Sequence, residues 1–178
     1  RDESKISNAL KDIKDEFKKN DFKLRDADRL YKTNNKNEPT ICMMHLESCG
    51  NMTSHEIFTE GLNILKNKIE NFINNIKTTE NIEIKTADFN IESFDYRIRG
   101  EDTTLGNLMQ DYLFERSEVK YVGYDIPHPL DSLLIIRMGL NKDNSLENNN
   151  KIMIDTGKTI IGYINDMLKE WESITQTK

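Results

Sequence analysis

The sequence has no long apolar run and is short of cysteine, histidine and glycine. No stretch approaches the roughly 18 apolar residues that indicate a transmembrane helix. Two cysteines in 178 residues exclude a small disulfide scaffold and favour the cytosol or nucleus. The opening residues, RDESKISNALKD, have neither the basic start nor the apolar stretch of a signal peptide, so none is expected. Three histidines and eight glycines leave little material for a catalytic site.

Basic charge is also short, and its distribution is uneven. The chain has 25 Lys and Arg against 31 Asp and Glu, which gives a net charge of −6. Residues 1–80 hold 14 of each sign, whereas residues 81–178 hold 11 basic and 17 acidic residues. Proteins that bind nucleic acid normally present a basic face to the phosphates. The sequence therefore predicts no direct nucleic-acid contact, and the lack of a long apolar run predicts no membrane contact.

Periodic apolar residues nevertheless predict a folded core, in one domain or two small ones. A surface helix is expected over residues 4–19, and an apolar run predicts a strand over 40–47. Alternation of apolar and polar residues predicts four further strands, at 82–86, 93–99, 119–124 and 132–138. Strands in runs, with helices gathered to one side, indicate the α+β class with antiparallel strands.

Two long helices are expected beside these strands, together with a shorter helix that Thr103 or Thr104 caps. The first long helix begins at a capping box formed by Thr53 and Glu56, and the second spans 156–174 after a polar loop over 141–151. Their apolar stripes are too long to serve a small sheet alone, so we expect the helices to pack roughly antiparallel on each other. The residues assigned to this contact are Ile57, Leu62, Leu65, Ile69, Ile73, Ile161, Ile164, Leu168 and Trp171.

Two segments in the second half carry a resemblance to a known family. EDTTLGN stands at 101–107, and GYDIPHPL at 123–130 is followed by IIR at 135–137. Together they strongly resemble the small dimerisation subunit of eukaryotic and archaeal RNA polymerases. In that family an E-D-H-T-L-G-N turn is followed by a G-Y-x-x-P-H-P-L turn, an I-R strand and a long C-terminal helix. Thr103 stands where the family usually has histidine. The resemblance covers about residues 82–174.

A second segment, residues 40–76, looks like the end of the third-largest subunit of RNA polymerase II, which is the dimer partner of the first. It has MMHLESCG at 43–50 and IFTEGLNILKNK at 57–68. Both partners on one chain resemble the fused subunit of large cytoplasmic DNA viruses of the African swine fever type. The resemblance implies three parts: the tail of an inserted domain with a linker (1–39), the C-terminal part of a third-subunit-like domain (40–78) and an eleventh-subunit-like domain (79–178).

The function that this resemblance implies is a non-catalytic platform on which the large catalytic subunits of an RNA polymerase assemble. The implied partners are the largest and second-largest polymerase subunits and a small zinc-binding adaptor subunit, with no cofactor and no metal. The expected location is intracellular: the nucleus if the chain is cellular, or the host cytoplasm (virus factory) and the virion if it is viral. The alternative is a stand-alone α+β regulator that binds protein through the paired helices.

The elements that the resemblance assigns to assembly contacts project from strand ends. The turn at 101–107 could equally be only a helix N-terminus, for which a cap and a glycine suffice. The assigned residues are Glu47, Gly50, Glu101, Asp102, Thr104, Leu105, Gly106, Asn107, Gly123, Tyr124, Pro127, His128, Pro129, Leu130 and Arg137.

Two features of the sequence are candidates for a chemical site: a catalytic histidine and a zinc site. His128 has no accompanying nucleophile or orienting carboxylate, so a rigid turn is favoured over a catalytic base. Cys42, His45, Cys49 and His55 have the ligand types of zinc. On a strand, however, Cys42 and His45 would point to opposite faces. We therefore predict no zinc site and expect Cys42 to be a small core residue.

Overall fold

The computed structural model of the chain describes residues 2–35, 39–87, 93–128 and 130–175. They fall into two compact units, Arg1–Glu47 and Ser48–Lys178. No helix in these ranges is both long enough and apolar enough to cross a membrane.

The first unit contains two short helices where one was expected over 4–19. Helix α1 spans Glu3–Asp12 and helix α2 spans Glu16–Arg25, followed by a 3-10 turn at Ala27–Arg29. The break follows from Asp15, whose carboxylate accepts hydrogen bonds from the backbone N–H groups of Phe17 (2.8 Å) and Lys18 (3.2 Å) and so starts a new helix. The prediction of one continuous helix over residues 4–19 is therefore wrong.

The strand expected over residues 40–47 is absent, because residues 40–49 form no helix or strand. Their apolar side chains are exposed: Ile41, Met43, Met44 and Leu46. Apolar composition alone does not form a strand, since a strand needs a neighbour for its backbone hydrogen bonds. Thr40 donates its backbone N–H to Lys32 O (2.9 Å), but residues 40–47 are not paired into a strand ladder among the described residues.

The second unit confirms the α+β prediction. Its elements in chain order are α3 (Ser54–Thr78), β1 (Ile82–Thr86), β2 (Phe94–Arg99), α4 (Thr103–Phe114), β3 (Val119–Asp125), β4 (Leu133–Leu140) and α5 (Leu146–Thr175). The strands form one antiparallel sheet in the order β1-β2-β4-β3. All four strands lie within two residues of their expected bounds.

One face of this sheet forms the core. Tyr96 lies opposite Ile136 and Ile98 opposite Leu134 in the β2–β4 register, so these four side chains share a face, and all are buried. Residues of α3, α4 and α5 complete the same apolar cluster, among them Ile69, Leu105, Met109 and Met153. The helices therefore cover one side of the sheet, as expected for an antiparallel sheet with one apolar face.

Helices α3 and α5 pack antiparallel on each other, as expected. Phe58, near the start of α3, contacts Trp171 near the end of α5, with ring centroids 4.6 Å apart. Ile73, near the end of α3, lies against Gly157 in the first half of α5: a Cβ at Gly157 would be 2.9 Å from Ile73 Cδ1. The order of these contacts runs in opposite directions along the two helices. The glycine lets them approach closely.

Helix α5 begins ten residues earlier than expected, at Leu146 rather than Thr156, so most of the predicted loop over 141–151 is helical. The asparagines in this stretch have one tertiary partner and two local ones that the composition does not reveal. Asn150 Oδ1 accepts the hydroxyl hydrogen of Tyr96 (2.7 Å). Asn149 Nδ2 donates to Asn144 Oδ1 (2.9 Å) and to the carbonyl of Ser145 (2.8 Å). These bonds offset the weak helix propensity of asparagine.

The two glycines of α5 provide a direct test of the close helix contact. We expect Gly157→Leu to lower the free energy of unfolding by about 1–3 kcal/mol, because its side chain would enter the space that Ile73 occupies. The matched control is Gly162→Leu, where nothing lies within 4 Å of an added Cβ. That variant should be neutral or slightly stabilising, because leucine favours helix over glycine. Urea unfolding measures the free energy of unfolding of both variants. Equal effects would contradict the close contact of α3 with α5 at Gly157.

Candidate functional site

The segment 101–107 is tied to α3 through Lys68. Lys68 Nζ lies 2.7 Å from Glu101 Oε2 and 3.7 Å from Asp102 Oδ2. The hydrogen bond with Glu101 raises the pKa of Lys68, because it favours the charged ammonium. Glu101 is half-buried. The acidic pair therefore fixes the start of α4 beside the long helix.

Asp102 is the residue that caps α4, where Thr103 or Thr104 was expected. Its Oδ1 accepts a hydrogen bond from the backbone N–H of Thr104 (2.9 Å). Partial burial acts to raise the pKa of Asp102, but hydrogen bonds from Thr104 and the charge of Lys68 together hold it below its ordinary value. Two threonines follow this aspartate in the sequence, and an ionised aspartate is the stronger acceptor at a helix N-terminus.

The remaining residues of this turn divide into buried and exposed sets. Leu105 is fully buried, and Gly106 packs so tightly that a Cβ there would be 2.8 Å from both Leu134 Cδ1 and Tyr124 Cδ2. Thr104 and Asn107 are exposed. Leu105 and Gly106 thus hold α4 against the sheet, and Thr104 and Asn107 present the polar surface of the turn.

The segment 123–130 leaves β3 and ends in an exposed tip. Pro127, His128 and Leu130 are exposed, and the side chain of Leu130 is 87% accessible to solvent. The imidazole Nδ1 of His128 accepts the backbone N–H of Leu130 at 3.2 Å, which orders the tip. Pro129, which was also assigned to this turn, lies outside the described residues.

The structure brings the two predicted turns together at one end of the second unit. Gly100 N–H donates to Ser132 O at 2.7 Å, which joins the residue before the first turn to the end of the second. Two hollows of about 540 Å³ each open here. The first is lined by Arg99, Gly100, Leu130, Asp131, Ser132 and Leu133, and the second by Leu65, Thr103, Thr104, Asn107, Leu108, Asp111 and Tyr124. We call the exposed residues Thr104, Asn107, Pro127, His128 and Leu130 the turn surface.

Arg137 lies on the sheet face opposite the helices and pairs with Asp95. The two residues are directly opposite each other in the β2–β4 register, and the guanidinium binds the carboxylate in a bidentate manner, with Nε–Oδ1 2.5 Å and Nη2–Oδ2 2.7 Å. The hydrogen bonds with Asp95 raise the pKa of Arg137. Arg137 is therefore engaged in a cross-strand pair within this chain.

Gly123 lies directly opposite Arg137 on the neighbouring strand β3. A Cβ at Gly123 would be 2.9 Å from the hydroxyl oxygen of Tyr121. Glycine at this position thus leaves room for the tyrosine ring beside the ion pair.

Glu47 and Gly50 are both exposed. Gly50 has a φ of +113°, a conformation that glycine adopts readily. Cys42 is exposed too, so the expectation that it is a core residue is wrong. The described residues contain no group of three or more His, Cys, Asp or Glu side chains that could hold a metal ion.

The helix residues assigned to the α3–α5 contact are buried or half-buried, and the end of this contact also includes His55, which the sequence suggested only as a candidate zinc ligand. Ile69, Ile73 and Ile164 are buried, and Ile57, Leu62, Leu65, Ile161, Leu168 and Trp171 are half-buried. The ring of His55 stacks on Trp171, with centroids 5.4 Å apart. The sequence could have indicated this contact of His55, since His55 lies three residues before Phe58 and is on the same side of the helix.

Comparison with known proteins is consistent with the fold of the second unit. Residues 93–176 match the family model of the RNA polymerase Rpb3/Rpb11 dimerisation domain. The α+β fold of the second unit, with its four-stranded antiparallel sheet, is consistent with that domain. The comparisons thereby support the class of RNA polymerase alpha-like subunits.

Individual proteins to which the chain is similar are subunits of DNA-directed RNA polymerases. The chain is 30% identical over 76 residues to DNA-directed RNA polymerase II subunit RPB11 of Schizosaccharomyces pombe, covering 40% of this chain and 59% of that protein. It is 26% identical over 86 residues to subunit Rpo11 of Pyrococcus horikoshii, covering 48% of this chain and 90% of that protein. It is 41% identical over 46 residues to subunit RPAC2 of RNA polymerases I and III of Saccharomyces cerevisiae, covering 26% of this chain and 32% of that protein. The chain thus spans less than two thirds of the two yeast relatives.

Asp102 allows capping and charge to be separated. We expect Asp102→Ala to lower the free energy of unfolding by about 1 kcal/mol through loss of the cap, and Asp102→Asn to cost less, because an amide oxygen still accepts from Thr104. The pKa of Asp102 is lower in the folded state. The charge therefore adds stability that is present above the ordinary pKa of 3.8 and is lost as pH falls through the lower folded-state value.

The measurement is urea unfolding of the wild type and both Asp102 variants between neutral pH and about pH 3. The advantage of the wild type over Asp102→Asn should shrink as the solution becomes acidic. A difference that stays constant over this range would argue against the charge contribution.

The Asp95–Arg137 pair should respond asymmetrically to substitution. Arg137→Met leaves a carboxylate that is 10% exposed without its partner, so we expect a loss of about 2–3 kcal/mol in unfolding free energy. Adding Asp95→Asn should recover part of that loss. Arg99→Met, at an exposed arginine of β2, is the control and should stay within about 0.5 kcal/mol of wild type. A double-mutant cycle measures the coupling, and a value near zero would refute the pair.

Proposed function

We propose that this chain is a non-catalytic assembly subunit of a multisubunit DNA-dependent RNA polymerase. In this role it provides the platform on which the large catalytic subunits come together and is required for transcription. The observation that carries the proposal is the packing of α3 against α5. Helix α3 (Ser54–Thr78) precedes the segment 93–176 that matches the dimerisation domain, and α5 forms the last part of that segment.

The proposal extends to the division of the chain. Residues 79–178 act as an eleventh-subunit-like domain, residues 40–78 as the C-terminal part of a third-subunit-like domain, and residues 1–39 as the tail of an inserted domain with its linker. The α3–α5 pair then takes the place of a contact between two separate subunits. Support comes from Ile69 and Ile73, which pack so closely on Gly157 that a Cβ there would be 2.9 to 3.3 Å from their side chains, and such close packing is typical of a protein core.

We assign the contacts with the polymerase to the turn surface and to Glu47 and Gly50. The partners are the largest and second-largest subunits and a small zinc-binding adaptor subunit, and DNA or RNA is not bound directly. The turn surface suits protein contact because it combines an exposed leucine, Leu130, with exposed polar groups at Thr104, Asn107 and His128. Leu130 lines one of the two hollows, and Thr104 and Asn107 line the other. Glu101, Asp102, Leu105, Gly106, Tyr124 and Arg137 position this surface from beneath.

The fusion of both partner halves on one chain is the arrangement of large cytoplasmic DNA viruses of the African swine fever type. If the chain is viral, the protein acts in cytoplasmic virus factories and is packaged in the virion. If the chain is cellular, the protein acts in the nucleus.

Leu130 gives the sharpest test. Leu130→Asp should reduce co-purification of the two largest polymerase subunits with the tagged chain from its source cells by about tenfold, because it places a charge in an apolar contact. Leu24→Asp is the matched control, since Leu24 is 82% exposed on α2 and Leu130 is 87% exposed. Neither change should alter the melting temperature.

Mass spectrometry of the purified complexes measures the outcome. Retention of both large subunits by Leu130→Asp would remove the turn surface from the interface. A wild-type chain that purifies without any polymerase subunit would overturn the proposed function itself and favour a stand-alone regulator.

A further inference from the structure

A cleft of about 780 Å³ opens in the second unit where α4 leads into β3 and the end of β4 leads into α5. None of the residues assigned to polymerase contacts lines it. Its wall includes Arg116, Lys142 and Lys151, and its apolar lining includes Leu140 and Ile152. The cleft is thus a separate surface from the turn surface.

The positive side chains of this cleft have no carboxylate partner in the part of the chain that the structure describes. Neither Arg116, Lys142 nor Lys151 forms an ion pair with a carboxylate of the described residues. The two acidic residues of the lining have partners: Asp155 Oδ1 lies 3.6 Å from Lys158 Nζ, and Glu118 Oε2 accepts from Ser117 Oγ at 3.3 Å. The lining thus carries three basic and two acidic side chains, a small positive excess in a region, residues 81–178, that carries a net charge of −6.

Arg116 is the pre-organised member of the group. Its Nη1 donates to the carbonyl of Ile152 (3.2 Å) and to Thr156 Oγ1 (2.8 Å), and Thr156 is buried. These bonds hold the plane of the guanidinium against α5. Its other N–H groups have no acceptor among the described residues. A fixed guanidinium with free N–H groups matches a carboxylate in a bidentate manner.

We propose that this cleft binds an acidic segment of a partner protein, with one carboxylate at Arg116, Lys142 and Lys151 and an adjacent apolar side chain against Leu140 and Ile152. A nucleic-acid strand fits less well. Glu118 and Asp155 line the same cleft and would face the phosphates that follow the first. The proposal does not depend on membership of a polymerase.

The test uses the full chain and the tripeptide acetyl-Leu-Asp-Leu-amide, followed by amide chemical shifts in NMR. We expect shifts confined to residues 116–118, 140–142 and 148–155, and no such shifts with acetyl-Leu-Asn-Leu-amide, which differs only in charge. The variant Lys142→Glu/Lys151→Glu should weaken binding roughly tenfold, because two charge contacts become repulsive. Arg116 is left intact because it also holds α5.

The control variant is Lys14→Glu/Lys77→Glu, which makes the same change in net charge at two exposed lysines outside the cleft. It should bind the peptide as the wild type does. Three results would overturn the proposal: equal shifts with both peptides, no shift of the cleft residues up to about 10 mM peptide, or tighter binding of a short oligothymidylate at the same residues. The last result would assign the cleft to phosphate instead.

Discussion

The close approach of α3 and α5 is the constraint on which the rest of the second unit depends. Its four-stranded sheet has one apolar face, and three helices remove that face from water. Helix α5 packs closely on α3 because Gly157 has no side chain, so that Ile69 and Ile73 reach its backbone. A wider separation would open voids among side chains that are now fully buried, and cores tolerate voids poorly.

Polar contacts under the helices define how α5 lies on the sheet. Tyr96 is fully buried, and burial raises the pKa of its hydroxyl, yet that hydroxyl donates to Asn150. Arg116 reaches the same helix at Thr156, between one and two turns further along. Each bond adds little net stability, but leaving either donor without its acceptor would be costly. Sliding α5 along the sheet breaks both bonds at once, so they select a single register.

The sequence predicted the parts of this fold in which local pattern and tertiary structure agree. The alternation Phe94, Tyr96, Ile98 located β2, and the Thr53–Glu56 capping box located the start of α3. The prediction from sequence failed where residues distant in the chain determine the structure. The asparagines before Thr156 are typical of a loop, but Asn150 accepts a hydrogen bond from Tyr96 and the stretch is helical. For the candidate site, the two motifs drew attention to the turns at 101–107 and 123–130, but a motif does not reveal that Gly106 faces the core while Asn107 faces solvent.

The short connection between α3 and β1 bears on what the domain offers to other proteins. Only residues 79–81 separate the helix from the strand, and Thr79 takes the left-handed conformation that ends the helix. So short a tether gives α3 a high effective concentration beside the sheet, and the helix pair forms without a second chain. The apolar faces that α3 and α5 turn toward each other are therefore buried within this chain. Among the described residues, the turn surface stays exposed at the ends of β2 and β3, where Leu130 lies on a turn ordered by His128.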